Sequence, residues 1–359
     1  MSCRHGGPVR RGSGLPQLTL IVCLGLLLGL LVPTARAAEE LRVDVEFVHD
    51  FGTELVVEID GPTDVQISPD GSLMLVTEKT GKVQVVTNYE TNKPKVTEAL
   101  VITQICTNVE RGLGGAAFHP GFGTDNRYIY LYYTFDKYFD CDASGDENKG
   151  PINRLSRFTL NQDNTVDMKS EEVLLNTPIM PYGSHNGGNI AFGKDGYLYL
   201  SIGEGGGKSK ENADGVVYPQ ALDMLLGKII RITADGHIPF TNPFVDTKSA
   251  RCHDTGWSGK ASLKCQEIFS YGLRNPFRFA VDPNVDGSRT RLFINDVGRH
   301  TWESVREGGD GFAGGNYGES NLRALTRILS LRLGLLFMGA YSYEIPCDLC
   351  FLFPPNRLP

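Results

Sequence analysis

Hydrophobic positions between residues 41 and 318 occur in short runs separated by Gly, Pro, Asp and Asn. Hardly any stretch has the amphipathic period of a helix. Short apolar runs bounded by turn-forming residues predict β-strands, and many of them in succession are typical of a sandwich, a barrel or a propeller. This region is therefore predicted to be all-β.

A loose repeat favours one of these architectures. Each unit has an apolar strand, a Pro/Asp/Gly turn and a second strand that ends in polar residues. The units read VQISPDGSLMLVTEKTGKVQVV from Val65, AAFHPGFGTDNRYIYLYYTF from Ala116, IAFGKDGYLYLSIGEGG from Ile190 and FAVDPNVDGSRTRLFINDVG from Phe279. Hairpins that recur with insertions between them predict the blades of a β-propeller, whose inner strands surround a central mouth suited to a ligand. A sandwich stays open as the alternative.

The first 37 residues have a different pattern. Three arginines precede an apolar run from Leu18 to Val32, and the small-residue pattern Ala35-Arg36-Ala37 follows. A charged start, an apolar run of this length and an A-x-A site predict a secretory signal peptide over residues 1–37. A membrane anchor is the alternative, but it requires about 20 apolar residues. We therefore expect a secreted, extracellular protein that begins near Ala38.

Composition and charge limit the classes of partner that we expect for this chain. The chain has 359 residues and a hydrophobic content of 41%, which is normal for a soluble globular protein. Removing the four leader arginines from 35 basic residues leaves 31 against 42 acidic ones, a balance of −11. A nucleic acid is not an expected partner of such a chain, and a membrane is not expected either.

Six cysteines follow the leader, and an even number in an exported chain favours disulfides over metal binding. Cys252 and Cys265 flank the loop HDTGWSGKASLK and are predicted to close it. Cys106 with Cys141 is the second predicted pair. The sequence Cys347-Asp-Leu-Cys350 has the spacing of a zinc knuckle or a redox motif, but it lacks a second half and is interpreted as incidental.

The stretch from Tyr182 to Ser209 reads YGSHNGGNIAFGKDGYLYLSIGEGGGKS and invites comparison with a phosphate-binding loop. Gly207-Lys208-Ser209 matches the end of that motif. Ile202, however, stands where the motif requires its first glycine, and no helix start follows. A nucleotide site is therefore not predicted.

His185 in the same stretch is a candidate general base. Small residues surround it, and Glu204 follows the next strand, so a hairpin could bring the carboxylate close to the imidazole. A neutral imidazole held in one tautomer by a carboxylate is a good base near neutral pH. A turn histidine bonded only to backbone is the alternative.

Two further segments carry candidate chemistry. In YGLRNPFRFAVDP, Arg274 and Asn275 lie within an otherwise apolar strand, and an arginine there must be paired or bind an anion. An ion pair inside the blade is the ordinary explanation. In DVGRHTWESV, Gly298 follows a strand and could turn a carbonyl inward. Backbone carbonyls together with a ligand carboxylate suit Ca²⁺.

Together these segments resemble a known family. ERGLGGAAFHPGF, SHNGGNIAFGKDGYLYLSIGEGG, EIFSYGLRNPFRFAVDP, DVGRHTWESV and GGNYG are similar to the ordered motifs of the glucose/sorbosone dehydrogenase family, over residues 45–318. The resemblance implies a six-bladed β-propeller of the quinoprotein glucose dehydrogenase type that uses pyrroloquinoline quinone (PQQ) and Ca²⁺. The same domain occurs in hedgehog-interacting-protein-like secreted proteins. The propeller domain is expected over residues 38–319.

The resemblance also implies roles for individual residues. His185 would remove the proton of the sugar's anomeric hydroxyl, and Glu204 would support that histidine. The carbonyls of Gly298 and Arg299 would face the Ca²⁺ ion. The remaining implied contacts are with the quinone, through Glu110, Arg274 and Asn275. In such a site the quinone carries the hydride chemistry, and the protein supplies the base, orientation and charge complementarity.

The sequence departs from the family pattern after GGNYG. Residues 320–359 contain no blade-like hairpin, and Leu322 to Met338 resembles an apolar helix interrupted by Arg327 and Arg332. We therefore expect an incomplete propeller of about four blades with a divergent tail. An open propeller exposes a strand edge. An altered transcript, a frameshift or a gene-model error would explain the tail, and a genuine short variant whose tail caps the edge is the alternative.

Three functions follow as hypotheses. The first is a secreted PQQ-dependent oxidoreductase that oxidises an aldose and passes electrons to an acceptor. The second is a non-catalytic extracellular module that binds a protein partner through the long loop from Asp246 to Cys265, since such loops carry contacts. The third, a Ca²⁺-dependent hydrolase, ranks last because it needs several acidic side chains converging on the metal.

Overall fold

A computed structural model describes residues 54–142, 149–180, 182–206, 217–299 and 303–318, together with the backbone of 342–345. The predicted signal peptide, the Gly207–Ser209 run, the predicted tail helix and the Cys347/Cys350 pair lie outside these residues. All the strands belong to one compact unit, Leu55–Pro359. Within the described residues, no helix has the length and apolar character needed to cross a membrane.

The first two sheets each contain four antiparallel strands in sequence order. The first blade consists of β1 (Pro62–Ile67), β2 (Met74–Glu78), β3 (Lys82–Thr87) and β4 (Lys95–Val101). The second blade consists of β5 (Leu113–Phe118), β6 (Tyr128–Phe135), β7 (Ile152–Thr159) and β8 (Glu172–Ile179). Both are simple up-and-down sheets, as alternating hairpins dictate.

The third blade carries an insertion before its last strand. It consists of β9 (Ile190–Phe192), β10 (Leu198–Ile202) and β11 (Lys228–Ile232), then a short parallel pair, β12 (Ser249–Ala250) with β13 (Lys264–Cys265), and finally β14 (Ile268–Tyr271). The fourth blade consists of β15 (Pro276–Val281), β16 (Arg291–Asp296), β17 (Glu303–Gly309) and β18 (Ser342–Ile345). The tail thus supplies the outer strand of the fourth blade, which corresponds to the alternative given above, a tail that caps a strand edge.

The first strands of the blades lie next to one another. β1 contacts β5, β5 contacts β9, and β9 contacts β15. The sheets therefore radiate from a shared axis, which is the arrangement of a β-propeller and confirms the predicted fold with four blades in the described residues. Each sequence repeat corresponds to the inner hairpin of one blade.

Apolar side chains fill the spaces between neighbouring blades. In the described residues three clusters account for the core, one between each successive pair of blades. Most members are Leu, Ile and Val, and the largest buried side chains are aromatic, including Tyr130, Tyr132, Tyr199, Phe158 and Phe269. Burying each such side chain contributes about 1.5–3 kcal/mol. The blades are therefore held together face to face rather than by the inner strands alone.

Both predicted disulfides are confirmed. Cys106 pairs with Cys141 and Cys252 with Cys265, with Cα atoms 5.4 and 5.5 Å apart. The first ties the segment before β5 to the loop after β6. The second closes the insertion of the third blade, beside the β12–β13 pair. Each disulfide therefore fixes a long connection that hydrophobic packing alone would leave free.

Candidate functional site

The predicted site residues lie at one end of the propeller, which we call the site end. Two kinds of connection meet there: those between blades (residues 102–112, 182–189 and 272–275) and those between the second and third strands of a blade (79–81, 136–142, 149–151, 203–206, 217–227 and 297–299). The seven predicted residues all come from these connections, namely Glu110, His185, Glu204, Arg274, Asn275, Gly298 and Arg299. Topology, rather than sequence proximity, gathers them.

The imidazole of His185 lies between the carboxylate of Glu204 and the guanidinium of Arg274. Its Nδ1 is 2.6 Å from Oε1 of Glu204, and its Nε2 is 2.8 Å from a guanidinium nitrogen of Arg274. Because an arginine can only donate, Nε2 accepts and the ring proton lies on Nδ1, which donates to the carboxylate. The His185 and Glu204 side chains are only 15% and 16% exposed. The surroundings thus fix one neutral tautomer of a largely buried imidazole.

The backbone of His185 is in the left-handed region, with φ of 55°. That conformation is uncommon outside glycine and costs on the order of 1–3 kcal/mol. Two hydrogen bonds hold it. The amide of His185 donates to Oε2 of Glu110 over 2.7 Å, and its carbonyl accepts from the amide of Gly205 over 3.2 Å. The Glu110 carboxylate therefore holds the main chain of His185 and with it the direction of the imidazole.

Gly203 allows the chain to pass close to His185. A Cβ atom on Gly203 would lie 2.1 Å from the carbonyl oxygen of His185 and 2.8 Å from Oδ1 of Asn275. No side chain fits there, so glycine is required at the end of β10. The next residue, Glu204, is then fixed by its amide, which donates to the carbonyl of Arg274 over 2.8 Å.

Asn275 and the buried Asp296 shape the floor of the site. Oδ1 of Asn275 accepts from the amide of Gly187 over 3.0 Å. Oδ1 of Asp296 accepts from the amides of Asn275 (2.8 Å) and Arg274 (3.1 Å). Burial raises the pKa of Asp296, while Arg306 and the two amides oppose that rise. Sequence reasoning missed Asp296; the only signal was a polar residue ending an apolar strand just before Gly298.

The guanidinium of Arg274 faces neutral acceptors. Besides Nε2 of His185, it donates to the carbonyls of Val297 over 2.9 Å and Gly298 over 3.0 Å. None of these three acceptors is a carboxylate, although the charge of Arg274 also acts on Asp296, where it opposes the rise in pKa that burial causes. An anionic ligand would be attracted to the guanidinium. The predicted metal ligand Gly298 therefore contacts Arg274, whereas Arg299 is exposed. Carbonyl oxygens here are of the type that Ca²⁺ binds.

A buried polar network from the second blade supports the histidine loop. Tyr132 donates its hydroxyl to the carbonyl of Asn186 over 3.2 Å, and Asn153 donates to Oδ1 of Asn186 over 3.1 Å. Asn186 in turn donates to the carbonyl of Gly183 over 3.0 Å. Buried polar side chains of this kind cost free energy unless they are paired. Here the pairing fixes the loop, and no pattern in the sequence predicts it.

Arg111 anchors the loops beside Glu110. It is buried, and its guanidinium donates to the carbonyls of Cys141 over 2.7 Å and Met180 over 2.6 Å. Burial lowers the pKa of Arg111, and the nearby Asp142 partly offsets this. The arginine thus joins the disulfide-linked loop to the start of the histidine loop.

One of the two potential clusters of side-chain metal ligands in the described residues lies at the site end itself, and the other lies in the insertion of the third blade. In the described residues, the clusters of three or more such side chains are Cys106 with Asp136 and Cys141, and Cys252 with Cys265 and Glu267. The cysteines of both clusters form disulfides. The described part of the site end therefore lacks the converging carboxylates that a Ca²⁺-dependent hydrolase of the third hypothesis would need.

Four radial blades and a polar mouth place the protein among β-propellers of the glucose dehydrogenase type. The fold is similar to that of a glucose dehydrogenase-type oxidoreductase from Thermus thermophilus, with a TM-score of 0.53 and 29% identity, covering 74% of this chain and 66% of that one. Residues 59–319 match the family described as Glucose / Sorbosone dehydrogenase, and the chain belongs to that family.

Two curated relatives have names that describe different functions, one an enzyme and the other a protein that interacts with Hedgehog. Quinoprotein glucose dehydrogenase B of Acinetobacter calcoaceticus is 27% identical over 267 residues, which cover 71% of this chain and 49% of the relative. Hedgehog-interacting protein of Homo sapiens is 28% identical over 242 residues, which cover 64% of this chain and 31% of the relative. The chain thus spans about half the length of the first and about a third of the second.

Proposed function

We propose that this chain is a secreted oxidoreductase that depends on PQQ and Ca²⁺ and oxidises an aldose at a CH–OH group. The observation that carries the proposal is the chain of contacts from Glu204 through His185 to Arg274. It combines an oriented base with a cation that faces neutral acceptors, in one mouth. Membership of the family and similarity to a quinoprotein support it.

When bound, the quinone supplies a two-electron acceptor for hydride. Nε2 of His185 takes the proton of the sugar's anomeric hydroxyl, and the Glu204 carboxylate stabilises the imidazolium that forms. Because Nε2 accepts a hydrogen bond from Arg274, the guanidinium must turn away before a sugar hydroxyl can donate there. The largely buried position of the imidazole limits competition from water.

The cofactor would be held by residues that surround the histidine. Arg274 would neutralise an anionic edge of the quinone, with Asn275 and Glu110 as further polar contacts. The carbonyls of Gly298 and Arg299 would bind Ca²⁺. In this structure the carbonyl of Gly298 accepts from Arg274, so the guanidinium would have to turn aside for both lone pairs of that oxygen to face Ca²⁺.

The test is titration calorimetry of PQQ onto the full chain in the presence of Ca²⁺. Arg274→Ala should weaken binding about 10- to 100-fold, the loss expected when charge-assisted hydrogen bonds are removed. Arg289→Ala is the matched control, because Arg289 is exposed in the β15–β16 turn at the opposite end. Absence of binding by folded wild-type protein would reject the proposal, and dye reduction with a panel of aldoses would extend a positive result.

A second candidate is a non-catalytic extracellular module that binds a protein. Two observations favour it: the similarity to Hedgehog-interacting protein and the long insertion closed by Cys252–Cys265. A Hedgehog ligand titrated onto the full chain is the appropriate probe, with the Cys252→Ser/Cys265→Ser variant as comparison. Binding to wild-type protein that is lost in the double-serine variant would support this candidate. Absence of binding to both the wild type and the variant would count against it.

A further inference from the structure

An exposed apolar rim adjoins the site end. It consists of Val109, Tyr138, Phe139 and Tyr182, and we call it the aromatic rim. Phe139 is 80% exposed and Val109 62% exposed, although Tyr130, Tyr132 and Tyr133 of β6 are buried. Exposed apolar side chains beside a polar site commonly mark a ligand-binding groove. We therefore asked which ligand would bury the rim side chains.

The rim is continuous with the histidine site. Val109 precedes Glu110, whose carboxylate accepts from the amide of His185 over 2.7 Å. Tyr182 precedes Gly183, whose carbonyl accepts from the amide of Glu110 over 3.1 Å. The loop that carries Tyr138 and Phe139 is joined to the same segment because Asn108 donates to the carbonyl of Cys141 over 3.0 Å. A ligand in the site would therefore extend onto these side chains.

Two rim residues have strained backbones. Val109 has φ of 55° and Phe139 has φ of 56°. The left-handed region is a genuine outlier for a β-branched or bulky side chain, and a solvent-facing loop would ordinarily place Gly or Asn there. Lys79 donates to the carbonyl of Val109 over 2.7 Å, and the Cys106–Cys141 disulfide bounds both segments. The rim is therefore fixed in place, as a preformed contact surface would be.

We infer that the aromatic rim is an accessory saccharide subsite, so that the site takes the end of an extended saccharide rather than a free monosaccharide alone. This inference rests on the proposed function. A pyranose ring presents an apolar face of C–H groups, which can bury against Phe139 and Tyr138. Four side chains match one or two sugar rings, whereas a stable protein interface takes about 20–30 residues a side.

The experiment compares glucose with maltotetraose and cellotetraose, titrated by ligand-observed NMR onto the full chain without cofactor. We expect at least one tetrasaccharide to bind about tenfold more tightly than glucose, the gain that corresponds to burying one aromatic contact. Phe139→Ala should abolish that preference and leave glucose binding unchanged. Phe240→Ala is the matched control, because Phe240 is equally exposed at 86% but lies in the β11–β14 connection.

Three outcomes would overturn the inference: equal affinity of wild-type protein for all three saccharides, equal weakening of glucose and tetrasaccharide by Phe139→Ala, or loss of the preference in Phe240→Ala. The PQQ titration separates this inference from the proposed function. PQQ binding without a tetrasaccharide preference rejects the subsite and leaves the oxidoreductase in place. A preference that depends on Phe139 but comes without PQQ binding supports the subsite and rejects the oxidoreductase.

Discussion

Arg274 donates a guanidinium N–H to Nε2 of His185 across 2.8 Å, in a position that a substrate hydroxyl would have to take. Because an arginine only donates, Nε2 accepts in this contact and the ring proton lies on Nδ1, towards Glu204. The contact also couples the base to the residue that would bind an anionic cofactor. In the proposed mechanism, this one side chain would block Nε2 until a ligand draws the guanidinium away.

The Glu204 carboxylate should matter more for turnover than for folding. Glu204→Gln keeps an oxygen that can accept from Nδ1 but removes the charge that stabilises an imidazolium. We expect the turnover of PQQ-loaded protein with an aldose to fall about 100-fold, the lower range for loss of general-base function. Dye-reduction rates measure this. Glu172→Gln, at an exposed ion pair on β8, should change nothing, and an unchanged rate in Glu204→Gln would refute the assigned role.

Gly203 should tolerate no side chain. In Gly203→Ala the new methyl group would lie 2.1 Å from the carbonyl oxygen of His185, so the histidine loop must shift. We expect a loss of about 1–3 kcal/mol in the free energy of unfolding, typical of overpacking, measured by urea denaturation. Gly311→Ala is the control, because no atom lies within 4 Å of a Cβ there. Equal stability of the two variants would contradict the close approach.

The inner half of each blade could be predicted from the sequence, and the outer half could not. Each repeat had a strong local signal, namely two apolar strands around a Pro/Asp/Gly turn, and these became the inner hairpins. The outer strands lie at unequal distances along the chain, with the insertion before β14 as the extreme case. β18 pairs with β17 through backbone hydrogen bonds, and such pairing leaves little trace in side-chain pattern.

In the site, too, local contacts could be predicted from the sequence and long-range contacts could not. His185 and Glu204 could be linked in advance because a single hairpin separates them, and their contact is local. Asp296, Arg111 and the Asn153–Asn186 pair reach the site from other blades or loops. Their importance depends on burial and on partners far away in sequence, which only the folded structure specifies. The family resemblance named residues with a chemical role, but not those that hold them.

The two disulfides should have different effects on the site. The chain-entropy model gives a loss of about 4 kcal/mol on removing Cys106–Cys141 and about 3 kcal/mol for Cys252–Cys265, from sequence separations of 35 and 13. Only the first anchors Arg111, through the carbonyl of Cys141. The Cys106→Ser/Cys141→Ser variant should therefore also weaken PQQ binding.

Calorimetry on both double-serine variants checks this expectation, at a temperature where circular dichroism shows each to be folded. The Cys252→Ser/Cys265→Ser variant is the control, since its loop lies in the insertion of the third blade. Equal PQQ affinity in the two variants would show that the Cys106–Cys141 loop does not position the site.

Glu267 should make the protein less stable as the pH rises. Its side chain is fully buried, Oε1 accepts from the amide of Cys252 over 2.8 Å, and Oε2 has no partner among the described residues. Burial raises the pKa of Glu267 above its ordinary value of 4.5. The folded state therefore retains the proton to higher pH than the unfolded chain does. Its contribution to stability is greatest below pH 4.5 and falls as the pH rises through the folded-state pKa.

Glu267→Gln removes this ionisation and so tests the sign. Relative to wild type, the variant should gain stability as the pH rises above about 4.5 towards the folded-state pKa, measured by urea denaturation at a series of pH values. Glu98→Gln, at an exposed pair with Lys82, should show no such trend. If the difference between Glu267→Gln and wild type were constant with pH, the carboxyl would titrate alike in both states. Glu267 would then be an ordinary cap on the Cys252 amide rather than a buried acid that opposes folding when it ionises.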